Sequence, residues 1–234
     1  MSVKQNEQAG WVAFVGTGPG DEGLLTIRAA ELLRQADLVI ASPEQATVAR
    51  RFASDQATWA EPAEGGVARQ LTGSARAGQF VVRLYPGDPL LSGAAHDAAA
   101  CAKAGVRFEV VPGMPEHTAV PAYAGIALSS DHAAELRVIH ASEASRVAYS
   151  PVPLVIMGAD AAPADLAKML VANGWPEATP IAITWDGTTS GQQTVASSLG
   201  RLVPDLKAAG VSLANTQGQA VAVVGDCVTS RDKL

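Results

Sequence analysis

Short apolar runs alternate with longer helical patterns through the first half of the chain, and this alternation constrains the fold more than any other feature. Four runs rich in Val, Leu and Ile predict strands: 11–16, 36–41, 80–89 and 106–113. Apolar residues at helical spacing predict the helices that accompany them: 22–35, 44–54, 64–77 and 94–104. Strands that alternate with helices in this way form a parallel sheet covered by helices on both faces. The first half is therefore predicted to be an α/β domain with a doubly wound parallel sheet.

The second half, after Pro112-Gly113, has fewer helices per strand. Three helices are predicted: 119–128, 162–173 and 198–209. Five strands are predicted: 136–141, 153–159, 179–188, 192–197 and 220–228. Fewer crossovers favour a mixed sheet. We expect a polar, disordered lead-in over residues 1–10, an N-terminal α/β domain over 11–114 and a C-terminal α/β domain over 115–234.

Composition and charge disfavour several classes of function. The net charge of −6 argues against binding to nucleic acid or to an anionic membrane surface. No apolar segment reaches the roughly 20 residues that a membrane helix needs, and the N-terminus lacks a signal-peptide pattern, so we expect a cytoplasmic protein. Cys101, Cys227 and the four histidines lack the spacing of metal ligands, so no metal site is predicted.

A glycine-rich loop, Gly16-Thr17-Gly18-Pro19-Gly20-Asp21, follows the first predicted strand. Glycines let a backbone approach a ligand closely, and a dinucleotide site would need the pattern Gly-x-Gly-x-x-Gly. Here Asp21 takes the sixth position, where its carboxylate would repel a pyrophosphate, and Ser42 stands where an acidic ribose-binding residue is needed. A dinucleotide is therefore disfavoured. Without a ligand, this segment is a tight turn with Asp21 near a helix N-terminus.

A second loop, Pro86-Gly87-Asp88-Pro89, ends another predicted parallel strand. Ligands of doubly wound sheets collect at the carboxyl ends of the strands, so we expect the two loops to lie opposite each other. Asp88 places a carboxylate at that edge, which suits a cationic group such as the amino group or the sulfonium of S-adenosylmethionine. Taken alone, this segment is also a good turn sequence.

Seven stretches, taken together, resemble the tetrapyrrole methylases, and within them the uroporphyrinogen-III C-methyltransferases. They occur in the family's order and span residues 11–234: VGTGPGDEGLLTIRAAELLRQADLVI, VVRLYPGDP, FEVVPG, AYAGIAL, VIMGA, TPIAITWDGTTSGQQTV and VVGDCVTSRDKL. The segment TWDGTTSGQQ and the closing RDKL are most similar to the methylase half of actinobacterial proteins that fuse this domain to uroporphyrinogen-III synthase.

The resemblance implies the tetrapyrrole methylase fold, with two α/β domains, S-adenosyl-L-methionine in a trough between them, and a homodimer. It implies methyl transfer to two ring carbons of uroporphyrinogen III, giving precorrin-2 for the sirohaem and cobalamin branch of tetrapyrrole biosynthesis. S-adenosyl-L-homocysteine would be the second product. A fused or partner uroporphyrinogen-III synthase is a further expectation.

The family's cofactor contacts carry over to positions where the motifs match. The eight predicted cofactor-binding residues are Pro19, Pro86, Gly87, Asp88, Leu91, Met157, Ala182 and Gly187. Pro86 departs from the family, which has Gly-Gly-Asp in the second loop. Met157, Ala182 and Gly187 match positions that hold the adenosine, with core packing as the alternative for Met157.

The substrate side departs from the family more strongly. Ala41-Ser42-Pro43 replaces a Tyr-Asp-Arg stretch whose Asp is taken as a proton acceptor, so no catalytic residue is predicted. The loop after Asp88 lacks the family's arginine, and Pro115-Glu116 replaces a Thr-Ser or Thr-Ala pair that contacts cofactor. A substrate that carries many carboxylates calls for several Arg or Lys donors. The remaining candidates, for which a solvated surface charge is the alternative, are Arg28, Arg83, Arg137, His117 and His132.

Two main functions are consistent with these observations. The matching cofactor loops favour an active S-adenosylmethionine-dependent uroporphyrinogen-III C-methyltransferase. The missing substrate-side motifs favour a degenerate domain that binds cofactor or tetrapyrrole, or only dimerises, in association with uroporphyrinogen-III synthase. A methylase that acts on another precorrin is a third reading.

Overall fold

The structure is a computed structural model that describes residues 10–129, 135–159, 163–211 and 220–233. The lead-in expected over residues 1–10 lies outside this part of the chain, except for Gly10. The chain divides into two compact units, Met1–Pro115 and Glu116–Leu234.

The first unit contains a five-stranded sheet with the strand order β3-β2-β4-β1-β5. Its strands are β1 Trp11–Gly16, β2 Leu38–Ile40, β3 Thr58–Ala60, β4 Phe80–Tyr85 and β5 Phe108–Val111. Its α-helices are α1 Ile27–Leu33, α2 Pro43–Ala49, α3 Val67–Arg76 and α4 Ala94–Lys103. Every neighbouring pair of strands is parallel, which confirms the predicted parallel sheet.

Side chains that alternate along β1 supply two separate cores, one on each face of this sheet. Val15 packs on one face with residues of α1 and α2, such as Leu33 and Ala49. Phe14 packs on the other face with residues of α3 and α4, such as Leu71 and Cys101. Because both faces are covered, the strands read in the sequence as continuous apolar runs rather than as alternating ones.

Two predictions for the first unit are corrected. The helix predicted at 22–35 is divided, because Leu25 is extended and Thr26 begins α1 by accepting a hydrogen bond from the amide of Ala29 at 3.2 Å. A 3₁₀ turn, Glu22–Leu24, precedes it. The strand β3 was missed, because it is only three residues long and none of them is buried. A short, partly exposed strand has no apolar periodicity to detect.

The second unit contains a five-stranded sheet with the order β6-β7-β10-β8-β9. Its strands are β6 Arg137–His140, β7 Leu154–Met157, β8 Pro180–Trp185, β9 Gln193–Ser198 and β10 Val221–Val224. Its α-helices are α5 Glu116–Tyr123, α6 Pro163–Ala172 and α7 Leu202–Ala208. The β6–β7 pair is parallel and the other pairs are antiparallel, which confirms the predicted mixed sheet.

The two faces of this sheet also have separate cores. Leu170 of α6 and Leu202 of α7 pack on one face around the fully buried Trp185. Val120 of α5 packs on the other face. The helix α5 begins and ends earlier than the predicted 119–128, and the chain leaves it through Gly125, whose φ of +70° does not continue a helix.

Candidate functional site

The loop that follows β1 adopts backbone conformations that glycine alone tolerates well. Gly18 has a φ of +75° and Gly20 a φ of +143°. Asp21 ends this loop, and its carboxylate accepts a hydrogen bond from the amide of Gly23 at 2.7 Å. The expectation that Asp21 lies near a helix N-terminus is therefore confirmed. Pro19 lies between the two glycines and is partly buried.

The loop that follows β4 is bonded directly to the loop that follows β1. The amide of Gly87 donates to the carbonyl oxygen of Gly18 at 2.9 Å, and the amide of Gly18 donates back to Gly87 at 3.3 Å. Because β1 and β4 are parallel neighbours, both loops leave the sheet at the same edge. The structure thus brings together Pro19, Pro86 and Gly87, which the sequence placed in one site.

Two glycine positions make this close approach possible. A Cβ atom on Gly16 would lie 2.3 Å from the carbonyl oxygen of Gly87, and one on Gly113 would lie 2.0 Å from the same oxygen. Backbone lies where any side chain would have to go, so both positions require glycine. From the sequence, Gly113 ends a predicted strand, divides the two halves of the chain and belongs to the stretch FEVVPG, but is not identified as a contact of the second loop. The Pro-Gly pair after a buried strand was the available signal for its closer role.

The carboxylate of Asp88 connects the loops after β4 and β5. One oxygen accepts from the amide of Leu90 at 2.9 Å and the other from the amide of Gly113 at 3.3 Å. Asp88 forms no ion pair with any residue that the structure describes. Each carboxylate oxygen has a second lone pair, so Asp88 can also accept from a cationic ligand group.

Apolar side chains stand exposed beside this carboxylate. Leu90 is 58% exposed and Leu91 is 61% exposed. An anionic group without a cationic partner, next to exposed apolar surface, fits a ligand that has both a positive charge and apolar groups. S-adenosylmethionine meets this description, so the residues present in the first unit fit the expected cofactor.

The other three predicted cofactor residues belong to the second unit. Met157 ends β7 and is partly buried, beside His140 of β6 and Val221 of β10. Ala182 lies in the middle of β8 and is 1% exposed, within the apolar cluster that includes Val120. The methyl group of Ala182 is therefore a core group. Its assignment as a cofactor contact stays a prediction.

Gly187 lies in the turn between β8 and β9, and this turn is strained. Asp186 has a φ of +48° and Thr188 a φ of +69°, and no other described non-glycine residues have a positive φ. Such conformations cost on the order of 1–3 kcal/mol each and cluster at functional sites. A Cβ atom on Gly187 would lie 2.6 Å from both γ carbons of Val120. The backbone of the turn therefore rests directly on α5.

The candidate substrate residues of the first unit have partners within the protein. Arg28 donates two hydrogen bonds to Glu109, at 2.8 and 2.9 Å, and this pairing holds the pKa of the Glu109 carboxyl below its usual range. Arg83 donates to the carbonyl oxygen of Leu84 at 2.8 Å, and its guanidinium lies 4.6 Å from the centre of the Tyr85 ring. Neither arginine is a free surface charge in the described structure.

The other three candidate substrate residues give less evidence for or against substrate binding. Arg137 donates to the carbonyl oxygen of Ala148 at 3.2 Å. The Nδ1 atom of His117 is buried and has no hydrogen-bond partner among the described residues. His132 lies outside the described residues. At the position of the family's proton acceptor, the hydroxyl of Ser42 donates to the side chain of Glu44.

Paired glycine loops at the carboxyl edge of a parallel sheet, together with a second unit built on a mixed sheet, define a class of two-unit α/β proteins. A family profile named Tetrapyrrole (Corrin/Porphyrin) Methylases matches residues 12–203. The chain belongs to this family, and the recognition made from the seven sequence stretches is confirmed.

Curated relatives are similar over nearly all of the chain. It is 32% identical to siroheme synthase 2 of Serratia proteamaculans, covering 98% of this chain and 52% of the relative. It is 35% identical to siroheme synthase of Stutzerimonas stutzeri, covering 96% of this chain and 51% of the relative. The chain thus spans about half the length of these relatives.

Solved structures share the fold. A cobalt precorrin-4 methyltransferase matches with a TM-score of 0.81 at 20% identity, covering 97% of this chain and 99% of that chain. The uroporphyrin-III C-methyl transferase of Thermus thermophilus complexed with S-adenyl homocysteine matches with a TM-score of 0.76 at 26% identity, covering 94% and 99% of the two chains. These matches confirm the tetrapyrrole methylase fold. Together with the family, they support S-adenosylmethionine, the cofactor expected from the sequence.

None of the helices in the described part of the chain has the length and apolar character needed to cross a membrane.

Proposed function

We propose that this chain is an S-adenosylmethionine-dependent C-methyltransferase that converts uroporphyrinogen III to precorrin-2. The observation that carries the proposal is the bonded pair of strand-end loops, Gly18 to Gly87, with the carboxylate of Asp88 beside it. Family membership supports methylation of a tetrapyrrole. The siroheme synthase relatives and the uroporphyrin-III C-methyl transferase structure, at 26% identity, support uroporphyrinogen III as the substrate, whereas the cobalt precorrin-4 methyltransferase, at 20% identity, supports the fold alone.

The proposed cofactor-binding residues are the eight that the family resemblance identified: Pro19, Pro86, Gly87, Asp88, Leu91, Met157, Ala182 and Gly187. Bound S-adenosylmethionine supplies a methyl group that its sulfonium has already activated. The protein therefore contributes mainly by binding and orienting the reactants and by excluding water. Asp88 would hold a cationic group of the cofactor, and Leu91 would cover an apolar part. Gly187 offers backbone without a side chain in the way.

A homodimer, and a fused or partner uroporphyrinogen-III synthase, belong to the same proposal. They are supported by the family resemblance alone. Light scattering on the purified chain tests the dimer, for which a mass near twice the 23.9 kDa of one chain is expected.

A second candidate is a degenerate domain that binds cofactor or tetrapyrrole without catalysis. Arg28 is already bonded to Glu109, and Arg83 is already bonded to the carbonyl oxygen of Leu84. These internal bonds favour the degenerate domain, because the two arginines are engaged within the protein. Ser42, where the family has its proton acceptor, favours it too. Loss of a true general base would slow the reaction by about 10²- to 10⁴-fold without abolishing it.

One experiment separates the two candidates. The protein is incubated with methyl-labelled S-adenosylmethionine and freshly generated uroporphyrinogen III, and the tetrapyrrole is analysed for label. Transfer of two methyl groups per macrocycle is expected. Tight binding of the cofactor without transfer would favour the degenerate domain, and transfer only to a different precorrin would replace the proposed substrate.

A further inference from the structure

One side chain, Gln192, bridges two separate parts of the second unit. Its Oε1 atom accepts a hydrogen bond from the amide of Thr188 at 2.8 Å. Its Nε2 atom donates to the carbonyl oxygen of Tyr123, the last residue of α5, at 3.1 Å. Both ends of one amide group are therefore used, and they connect the turn after β8 to the end of the helix beneath it.

The hairpin itself does not depend on this bridge. β8 and β9 pair in an antiparallel ladder that runs from Pro180 opposite Ser198 to Trp185 opposite Gln193. That ladder fixes the register of the two strands without Gln192, which lies outside it, one residue before β9. The bridge acts instead on the strained segment between the strands, at a residue with a positive φ.

We propose that Gln192 is a positioning residue for the cofactor. By joining Thr188 to Tyr123, it holds the Asp186–Thr188 backbone against α5, so that Gly187 presents a fixed backbone surface to the ligand. A surface that is ordered before binding does not have to be ordered by the ligand, and affinity rises accordingly. The inference rests on the proposed function, because it takes Gly187 as a cofactor contact.

Calorimetry with S-adenosylhomocysteine tests this role in three proteins: the wild type, Gln192→Leu and the matched control Gln193→Leu. Gln193 is the next residue and is exposed. Gln192→Leu should raise the Kd about three- to tenfold, as expected for lost hydrogen bonds that hold a binding surface. Gln193→Leu should leave the Kd unchanged. In methyl-transfer assays, Gln192→Leu should raise the KM for S-adenosylmethionine and leave kcat within about twofold.

The outcomes separate this inference from the proposed function. If the wild type does not bind S-adenosylhomocysteine, both fail. If the wild type binds it and Gln192→Leu binds it equally well below its Tm, the inference alone fails, even where Tm has fallen, because the residue is then only structural. Should Gln192→Leu not fold, Gln192→Glu takes its place. Its ionised side chain can accept from Thr188 but cannot donate to Tyr123, so an affinity equal to the wild type's overturns the proposal.

Discussion

The loops of the first unit and the turn of the second unit both approach their neighbours too closely for a side chain, but they are held in different ways. In the first unit, glycines adopt the positive φ angles, and backbone bonds join Gly18 to Gly87. In the second unit, Asp186 and Thr188 adopt them, and the turn rests on a side chain of α5. Where backbone contacts backbone, no side chain can change its rotamer to make room. A contact with a side chain can be relieved by a rotamer change or by mutation to a smaller residue. Substitutions at Gly16 or Gly113 in the first unit should therefore cost the most stability, and the loss caused by substitution of Gly187 in the second should be partly reversible by a second change.

The largest effect is expected from Gly113→Ala in the first unit. Its new Cβ atom would lie 2.0 Å from the carbonyl oxygen of Gly87, so the two strand ends must separate. We expect the free energy of unfolding in urea to fall by about 3 kcal/mol. S-adenosylhomocysteine binding should also be lost.

The matched control is Gly73→Ala within α3, where a Cβ atom would meet nothing within 4 Å. This change should instead raise the free energy of unfolding by about 1 kcal/mol, because alanine favours a helix. Equal stability of Gly113→Ala and the wild type would show that the loops are not held by close contact.

Gly187→Ala in the second unit should have a smaller effect that a second change can reverse. Its Cβ atom would lie 2.6 Å from both γ carbons of Val120, which is a side chain rather than backbone. We expect a loss of about 2 kcal/mol by urea denaturation. Adding Val120→Ala should recover part of the loss, so that the double variant is more stable than the sum of the single changes predicts. If the effects of Gly187→Ala and Val120→Ala on stability were strictly additive, the turn would not be held by contact with the Val120 side chain, and the contrast with the first unit would be lost.

Much of this architecture could be predicted, because it follows from the local pattern of apolar residues in the sequence. The apolar runs that became β1, β2 and β4 are buried on both faces, and burial of that kind leaves a continuous signal in the sequence. The strand β3 left no such signal, because Thr58, Trp59 and Ala60 are only partly covered.

The candidate site shows the same limit more sharply. Family motifs indicated Asp88 and Gly187, but no local pattern could reveal what lies beside them in space. The amide of Gly113 reaches Asp88 from 25 residues away, and the side chain of Gln192 reaches Tyr123 from 69 residues away. Contacts of this range depend on the assembled sheets, so the sequence alone could not predict which residues Gly113 and Gln192 bond to.

Asp88→Ala should affect ligand binding more than folding. It removes the acceptor of two amide hydrogen bonds and the proposed partner of the cofactor's positive charge. We expect the affinity for S-adenosylmethionine, measured by calorimetry, to fall at least about tenfold, and stability to fall by about 1 kcal/mol. Asp55→Ala, at an exposed aspartate in the same unit, should change neither. Unchanged affinity in Asp88→Ala would mean that the second loop is only a turn.

The smallest effect concerns the start of α5, the helix that supports the turn of the second unit. Burial raises the pKa of the Glu116 carboxyl above its ordinary value of 4.5. The folded protein therefore binds this proton more tightly than the unfolded chain does, and the ionised carboxylate destabilises the fold at neutral pH. Glu116→Gln should give a small gain in the free energy of unfolding at pH 7. The gain should disappear as the pH falls below 4.5, where the carboxyl is protonated in both states.

The exposed Glu64, changed to Gln, should show no gain at either pH. A loss of stability in Glu116→Gln at pH 7 would mean that the ionised carboxylate helps to hold α5, and that charge as well as packing supports the turn.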